Sequence, residues 1–386
     1  MNYYSLFVLF IIILLLIAFF QLLAPILLPL LIIYAIYRLF VPKKRTTYTS
    51  FYEQEDDPYE DTTSSNPPKH NAIDVEYTER MIHMILNHSH GKDKEIRRLL
   101  SKSMLNMDPV TISTWMKYKY DPNGMFCILE DQKIVACLQT KERTLHYEGK
   151  KCKALILSLA CTLPDYRQRH YFSQLMEAAM NYANCNHMLT LCYTNFPKIL
   201  EAKSFQNVSK TKYYWLEMEN WLQGDLKNVR TYRPEMNLFS IYTEFMKHFD
   251  GSILLNKNEF DEQIHYYINC NHRIVTMYDG DTLCGFAIYK VIQDHIEIEI
   301  LMYMDSASIF DLLAYLSTRC KSVSFIVSQA ERFEKLFPME IPRSQGTVLA
   351  RLSNHQLFSI WSGKNVHHAK EAFTALEKPM WNHMID

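Results

Sequence analysis

An apolar run over residues 6–41 constrains this chain more than any other feature of its sequence. About 20 apolar residues cross a bilayer, so a run of about 36 is too long for one straight span. Gln21, Pro25 and Pro29 divide the run into two arms. We therefore predict a transmembrane segment over residues 1–44, built either as a hairpin of two short helices or as one span continued by a kinked or interfacial helix.

The charges beside this run predict its orientation. No Lys or Arg precedes the run and no A-x-A site follows it, which disfavours a cleaved signal peptide. Arg38, Lys43, Lys44 and Arg45 all lie at its C-terminal end, and the positive-inside rule places that side in the cytoplasm. The nine cysteines form no C-x-x-C pair, which agrees with reduced thiols. We expect a protein of the cell membrane whose soluble domains face the cytoplasm.

Residues 45–72 are predicted to form an acidic flexible linker. The stretch is rich in Ser, Thr, Pro, Asp and Glu, and it shows neither a helical nor a strand period. Such a composition cannot bury enough apolar surface to fold on its own. We therefore expect it to act as a tether between the membrane segment and the rest of the chain.

Composition and charge exclude several classes of binding site. Glycine is scarce, with 9 residues in 386 and no G-x-G pair, so neither a Walker A loop nor a Rossmann fingerprint is expected. A net charge of −1 supplies no field that would attract nucleic acid. The pairs His88/His90 and His367/His368 have no Cys or carboxylate at ligand spacing, so we predict no metal site.

Hydrophobic periodicity predicts alternating strands and helices after the linker. Residues 74–102 have the apolar spacing of a helix, and residues 125–129 and 133–139 have the pattern of an antiparallel hairpin. A buried strand, a helix, a second strand and a short helix are then predicted over residues 154–162, 171–182, 187–193 and 198–203. This order indicates an α/β fold, of α+β type with a mixed sheet.

The strand at residues 154–162 leads into a loop that carries Arg167 and Arg169, and then into a helix. A helix N-terminus presents unpaired N–H groups to an anion, and two guanidinium groups add positive charge for a pyrophosphate. The string ACTLPDYRQRHYF at residues 160–172, followed by QLM, resembles the strand, Y-R-x-x-G-x loop and helix of the Gcn5-related N-acetyltransferase (GNAT) superfamily.

This resemblance implies a co-substrate and a reaction. GNAT enzymes hold the pyrophosphate of acetyl-CoA in this loop and pair the preceding strand with the pantetheine arm. The residues that the resemblance assigns to acetyl-CoA are Ala160, Cys161, Thr162, Arg167, Gln168, Arg169, His170, Tyr171 and Asn195. The implied function is a membrane-anchored N-acetyltransferase that moves an acetyl group to a primary amine, held in the lipid bilayer through residues 6–41.

The second half of the chain repeats the pattern. Three strands, a helix and a further strand are predicted over residues 273–278, 284–289, 296–303, 309–316 and 323–327. The arrangement looks like the enhanced intracellular survival type of acetyltransferase, which carries two tandem GNAT folds and a C-terminal sterol-carrier-like module. We expect GNAT-like domains at 73–228 and 229–345, with 346–386 as a short tail in place of the third module.

Two positions depart from the family pattern. His170 stands where relatives have the pyrophosphate glycine, so its side chain crowds the diphosphate. If the backbone φ there is positive, a residue other than glycine costs about 1–2 kcal/mol. Leu200 stands at the position of the family's general-acid tyrosine, and leucine cannot protonate a leaving thiolate.

These departures leave three candidate catalytic groups and a second hypothesis. Tyr171 and Tyr193 lie close enough in sequence to replace the missing acid, and the resemblance implies the main-chain carboxylate of Asp386 as a base. The alternative function is a catalytically silent GNAT-fold module that binds a ligand or partner under the membrane. His170 and Leu200 favour that alternative because they remove two features that the chemistry uses.

Overall fold

The computed structural model describes residues 84–104, 107–219 and 223–381 of the 386-residue chain. The predicted transmembrane segment, the predicted linker and Asp386 lie outside these ranges. Within them, no helix combines the length and the apolar character that a membrane span needs. The described ranges lie in one compact unit, Thr78–Asp386.

The described residues form thirteen strands and nine α-helices. The strands are β1 (Met84–Leu86), β2 (Met125–Glu130), β3 (Lys133–Tyr147), β4 (Lys150–Thr162), β5 (Leu189–Thr194), β6 (Gln206–Glu217), β7 (Val229–Thr231), β8 (Ser252–Ile253), β9 (Arg273–Asp279), β10 (Thr282–Ile292), β11 (His295–Tyr303), β12 (Ser322–Ser328) and β13 (Arg343–Leu352). The helices are α1 (Asp93–Ser103), α2 (Pro109–Tyr118), α3 (Tyr171–Asn186), α4 (Pro197–Glu201), α5 (Leu238–Met246), α6 (Lys257–Asn269), α7 (Ser306–Ser317), α8 (His355–Ser362) and α9 (Ala369–Thr374).

All of these strands belong to one mixed sheet, in the order β1-β2-β3-β4-β5-β13-β6-β12-β11-β10-β9-β7, with β8 paired to β3. Among the described strands, two neighbouring pairs are parallel, β4 with β5 and β11 with β12. A helix joins each parallel pair, as a crossover requires, and three antiparallel strands precede each helix. The chain therefore builds the same series of three strands, helix and strand twice. The first series is β2, β3, β4, α3 and β5, and the second series is β9, β10, β11, α7 and β12. The predicted α/β fold with a mixed sheet is confirmed.

Two strands, β6 and β13, join the two series because each pairs with a strand of the other series. Strand β13 follows β12 in the chain, yet it pairs with β5 through residues 347–352 and with β6 on its other edge. Strand β6 follows β5 in the chain, yet its second edge pairs with β12. The sheet is continuous because these two strands lie side by side at its centre.

The residues after β13 pack into the central core. Phe358, Ala372 and Trp381 are buried there, and the Tyr147 hydroxyl donates to the backbone oxygen of Ala372 at 2.7 Å. The tail predicted over 346–386 thus begins inside β13, and its described part completes both the sheet and the core.

The helix predicted over residues 74–102 is confirmed over residues 93–102 and wrong over residues 84–92. Met84–Leu86 is an edge strand that pairs with residues 127–129 of β2, and the helix begins only at Asp93. Gly91 turns the chain between them with φ of 73°. A short apolar run cannot by itself distinguish a three-residue edge strand from a helical turn, so the pairing with β2 decided this segment.

Three hydrophobic clusters flank the sheet. Helices α1, α2 and α3 cover one face of strands β2 to β5, and α7 covers strands of the second series. The third cluster is central and joins side chains of β3, β4 and β5 to side chains of β10, β11, α5, α6, α8 and α9. Because the clusters share the sheet, the two series form a common core.

We expect Phe358→Ala to lower the free energy of unfolding by about 3–5 kcal/mol, because it leaves a cavity in the central cluster. Phe358 has no exposed surface. Ile360→Ala is the matched control on the same helix, since Ile360 is 80% exposed, and it should change the stability by no more than about 0.5 kcal/mol. Urea denaturation of the two variants measures the difference. Similar losses at both positions would contradict a role for α8 in the core.

Candidate functional site

Strands β4 and β5 run side by side for only four residue pairs. Residues 154–157 pair with residues 189–192. Past that point β4 follows β3 as far as Thr162, while β5 follows β13 as far as Thr194. The strands therefore diverge and open a gap, and in the described structure no strand pairs with β4 on the gap side over residues 158–162. A free extended edge can hydrogen-bond an extended ligand.

A β-bulge lies where the two strands diverge. The register of β4 on β3 shifts between the pairs at Leu138 and Thr140, which leaves an extra residue in β4 near Ser158. The buried Gln139 side chain holds this bulge, because its Nε2 donates to Ser158 Oγ at 3.2 Å and to the backbone oxygen of Lys119 at 3.0 Å. Bulges interrupt the ladder and are frequent beside active sites.

The loop after β4 leads to the N-terminus of α3. Gln168 and His170 in this loop have left-handed backbones, with φ of 63° and 57°. His170 is the N-cap residue of α3, and no side chain caps the helix. Because the first N–H groups of a helix have no partner inside it, the N–H groups of Phe172 and Ser173 are available to an anion.

The buried carboxylate of Glu130, at the end of β2, binds two of the predicted site residues. Arg169 Nη1 donates to Glu130 Oε1 at 2.9 Å, and the guanidinium also lies over the Tyr166 ring at 4.8 Å. The Tyr171 hydroxyl donates to Glu130 Oε2. Burial raises the pKa of the Tyr171 phenol, and the hydrogen bond to Glu130 raises it further. The Tyr171 hydroxyl therefore already donates its proton to a carboxylate of the protein.

Arg167 differs from Arg169 in this respect. Its side chain is exposed and makes no hydrogen bond or ion pair with any residue that the structure describes, although its backbone N–H donates to the Pro164 oxygen at 3.4 Å. Its guanidinium lies three residues before the open helix N-terminus, whereas that of Arg169 is already bound to Glu130. Of the two arginines that the sequence singles out, Arg167 is the one whose charge is uncommitted.

Tyr193 lies near the end of β5, on the other side of the gap. Its ring packs on Gly346 of β13, where a Cβ would collide with the phenol oxygen. The Thr211 Oγ accepts the Gly346 N–H at 2.8 Å, which fixes the neighbouring strands. Burial raises the pKa of the Tyr193 phenol, a hydrogen bond with Thr211 lowers it, and the negative charge of Glu299 raises it. The phenol keeps its proton at neutral pH.

The remaining predicted residues fall on both sides of the gap or outside the described ranges. Ala160 is exposed, and Cys161 and Thr162 are half-buried, on the free part of β4. Asn195 is exposed one residue after β5. Leu200 is 5% exposed and packs in the hydrophobic cluster beneath α3, so that position supplies no acid. Asp386 lies outside the described residues.

Sequence reasoning did not find Glu130, Gln139 or Gly346. Glu130 is the one charged residue of the strand sequence MFCILE, and that isolation in an apolar strand is a signal that could have indicated it. Gln139 and Gly346 carry no such signal, because their roles depend on contacts between strands. Among the described residues, no group of three or more His, Cys, Asp or Glu side chains could hold a metal ion.

The second series has the same gap but a different helix start. Strands β11 and β12 pair over residues 295–298 and 322–325 and then diverge, and a bulge in β11 places Glu299 between two ladder pairs. Helix α7, however, is capped by Asp305, whose Oδ1 accepts the Ser308 N–H at 2.8 Å. A carboxylate at this helix N-terminus repels a phosphate, so only the first series offers an open anion site.

Comparison with known proteins identifies the first series. Residues 89–199 match the family model of the acetyltransferase (GNAT) domain. These residues belong to the GNAT superfamily. The superfamily and the acyltransferase class that the sequence predicts are thereby confirmed, while the closer resemblance to the enhanced intracellular survival type rests on the sequence pattern. No curated protein sequence matches the chain.

Solved structures share the fold over about 70% of this chain. A probable N-acyltransferase from Enterococcus faecalis V583 has a TM-score of 0.60 at 13% identity, over 72% of this chain and 74% of that one. A GNAT from Anabaena variabilis has a TM-score of 0.60 at 12% identity, over 71% and 73%. The N-myristoyltransferase of Saccharomyces cerevisiae, solved with myristoyl-CoA, has a TM-score of 0.50 at 11% identity, over 76% and 84%.

The left-handed backbone of His170 predicts how substitutions at this position change the free energy of unfolding. We expect His170→Gly to change the free energy of unfolding by less than about 1 kcal/mol, because relief of strain is offset by the freedom that glycine adds to the unfolded chain. His170→Val should lower it by about 1–2 kcal/mol, since a β-branched residue tolerates positive φ poorly.

Ser173→Val is the control for these variants, because Ser173 has a helical backbone in the first turn of the same helix. Serine and valine have similar helix propensities, so we expect a loss below about 0.5 kcal/mol. Urea denaturation of the three variants measures these differences. Equal losses for the two valine variants would show that the backbone of His170 is not left-handed.

Proposed function

We propose that this chain is a membrane-anchored N-acetyltransferase that moves the acetyl group of acetyl-CoA to a primary amine. The observation that carries the proposal is the gap between β4 and β5, which lies directly before an uncapped helix N-terminus. One continuous stretch, residues 158–173, thus offers a free strand edge and then an anion site. That sequence of features fits a ligand with an extended amide arm and a diphosphate.

Acetyl-CoA fits this stretch residue by residue. The pantetheine arm would pair with the free edge of β4 at Ala160, Cys161 and Thr162. The diphosphate would lie at the N-terminus of α3 beside Arg167, with Gln168, Arg169 and His170 around it. A neighbour in fold, the yeast N-myristoyltransferase, holds an acyl-CoA, which supports a ligand of this class.

The transfer itself needs a nucleophile and a proton donor. The neutral acceptor amine, having given one proton to solvent, attacks the thioester carbonyl carbon, and a C–N bond forms. The C–S bond then breaks, the second amine proton is lost, and the thiolate leaves as CoA with a proton. Backbone N–H groups at the bulge would stabilise the oxyanion.

We assign the proton donor to Tyr193. Tyr193 is 37% exposed near the end of β5, the strand that borders the gap, and its phenol, which packs on Gly346 of β13, keeps its proton at neutral pH, as a general acid must. Tyr171 is less suited, because its hydroxyl is bound to Glu130 and it is 6% exposed. The carboxylate of Asp386 stays a prediction of the family resemblance.

We further propose that the chain carries two GNAT-like folds, at 73–228 and 229–345, that share their central strands. Each fold contributes one of the two strand series, and β13 from the tail region 346–386 completes the first. In this arrangement the first fold binds the acyl donor, because the second fold has its helix N-terminus capped by Asp305.

One set of observations favours the second candidate, a catalytically silent ligand-binding module. Arg169 is paired with Glu130, and Leu200 is buried where relatives carry an acid. The diphosphate site therefore has one guanidinium fewer to offer, and the transfer reaction lacks the general acid that relatives have at this position. Binding of acetyl-CoA without turnover is the result that this candidate predicts.

We expect Arg167→Ala in the full-length protein to weaken acetyl-CoA binding about tenfold, because it removes a charged partner of the diphosphate. Arg97→Ala is the control, since Arg97 is an exposed arginine on α1 that bonds Ser113, and it should leave the affinity unchanged. Calorimetry measures binding, and release of free CoA with a panel of primary amines measures turnover. Absence of both binding and turnover in the wild type would refute the proposed function.

The membrane anchor is a separate part of the proposal. Residues 6–41 support it through their length and apolar character, and the basic residues after them support a cytoplasmic body. We expect the full-length chain to stay in the membrane fraction after alkaline carbonate extraction, and a chain that starts after residue 44 to be released. Recovery of the full-length chain in the soluble fraction would contradict the anchor.

A further inference from the structure

Three cysteines stand in a row on three neighbouring strands of the first series. Cys127 of β2 faces Cys137 of β3, and Cys137 in turn faces Cys161 of β4. Facing residues of neighbouring antiparallel strands project their side chains from the same face of the sheet, so the three thiols lie on one face. The row ends at Cys161, because no strand that the structure describes pairs with β4 on the gap side over residues 158–162.

The sulfurs of Cys137 and Cys161 are in contact, with their Sγ atoms 3.5 Å apart. The backbone between the strands also suits a covalent link. The Leu163 N–H donates to the Val135 oxygen at 2.8 Å, which marks those two residues as a hydrogen-bonded pair. Hydrogen-bonded pairs recur every second residue, so Cys137 and Cys161 form the next one, and such pairs have Cα atoms about 5.5 Å apart. That spacing is typical of a disulfide.

The two thiols differ in their access to solvent. Cys161 is half-buried on the free part of β4, whereas Cys137 has no exposed surface. The contact with Cys161 and burial both raise the pKa of the Cys137 thiol, so Cys137 keeps its proton at neutral pH. An oxidant in solution therefore reaches Cys161 first, and Cys137 is already in contact as the thiol that reacts next.

We propose that Cys137 and Cys161 are a hydroperoxide-reactive pair of thiols, and that their oxidation to a disulfide links the free end of β4 to β3. The oxidant class is the hydroperoxides, of which hydrogen peroxide is the smallest. The pair would react in this way whether or not the chain binds acetyl-CoA, so the modification is a property additional to the proposed transferase function.

The oxidation takes two steps. Cys161 first loses its proton to solvent, and its thiolate attacks one oxygen of hydrogen peroxide. An S–O bond forms, the O–O bond breaks, and the hydroxide that leaves takes up a proton as water. The Cys137 sulfur then attacks the sulfenic acid of Cys161. An S–S bond forms, the S–O bond breaks, and hydroxide leaves with the Cys137 proton as a second water. The two thiols lose two electrons, and the peroxide gains them.

The disulfide would strengthen a part of β4 that the sheet supports on one side. Residues 158–162 pair with β3, and the bulge near Ser158 interrupts even that pairing. A link between residues 137 and 161 restricts the unfolded chain and holds the two strands together in the folded one. Oxidation should therefore raise the stability of the protein, and a reductant should reverse the effect.

Peptide mapping by mass spectrometry detects the bond. The full-length protein is treated with hydrogen peroxide, and the remaining thiols are alkylated before digestion. We expect a peptide pair linked through Cys137 and Cys161 that disappears after reduction with dithiothreitol. In urea, the oxidised protein should unfold at a midpoint about 0.5–1 M higher than the reduced protein.

Two variants and two controls test the assignment. Cys161→Ser removes the thiol that meets the peroxide, and it should abolish both the linked peptide and the rise in the urea midpoint. Cys137→Ala should do the same and serves if the first variant folds poorly. Cys185→Ser is the control for an accessible thiol, since Cys185 is exposed on α3. Cys152→Ala is the control for a buried thiol, since Cys152 of β4 faces Leu145. Both controls should keep the linked peptide.

Three results would overturn the proposal. The first is the absence of the linked peptide at a peroxide concentration that oxidises the exposed Cys185. The second is a disulfide that joins Cys137 to Cys127 in place of Cys161. The third is an equal rise in the urea midpoint for the wild type and Cys161→Ser. None of these results depends on acetyl-CoA, so the proposed transferase function is tested separately.

Discussion

The pairing of β5 with β13 determines where the first gap opens. Strand β5 keeps its register with β13 from Leu189 opposite Leu352 to Thr194 opposite Thr347. Strand β4 keeps its own register with β3 to its end, and the twist of a sheet turns neighbouring strands relative to one another. Beyond residue 192, β5 therefore follows β13 and leaves β4. The second gap has the same cause, because β12 follows β6 to Ser328 while β11 follows β10.

The two gaps lead into helices that begin differently. After β4, the loop to α3 ends at a left-handed His170 and offers bare N–H groups. After β11, Asp305 closes the start of α7 with its own carboxylate. The bulges differ as well, since the neutral Gln139 side chain holds the first bulge and Glu299 occupies the second. A chain that repeats one topology therefore presents an open helix N-terminus in one series and a helix capped by a carboxylate in the other.

Competition for Glu130 limits what the arginine loop can do. This carboxylate is 2% exposed and would be costly to bury alone, so it requires the Arg169 guanidinium and the Tyr171 hydroxyl. Both groups are part of the string that resembles the GNAT loop. The structure therefore divides that string into residues that hold the loop in place and residues, such as Arg167, that stay available to a ligand.

The sequence by itself determined the local parts of this protein. The hairpin at residues 125–139, the strand before the arginine loop and the helix after it were predictable, because side-chain periodicity and turn residues act over a few positions. The tertiary structure alone decided the rest. The edge strand at Met84–Leu86, the insertion of β13 beside β5 and the approach of Gly346 to Tyr193 all join residues far apart in the chain. Glu130 acquires its role in the same way, because the guanidinium that its carboxylate needs beside it comes from Arg169 in the loop after β4 and no local pattern records it.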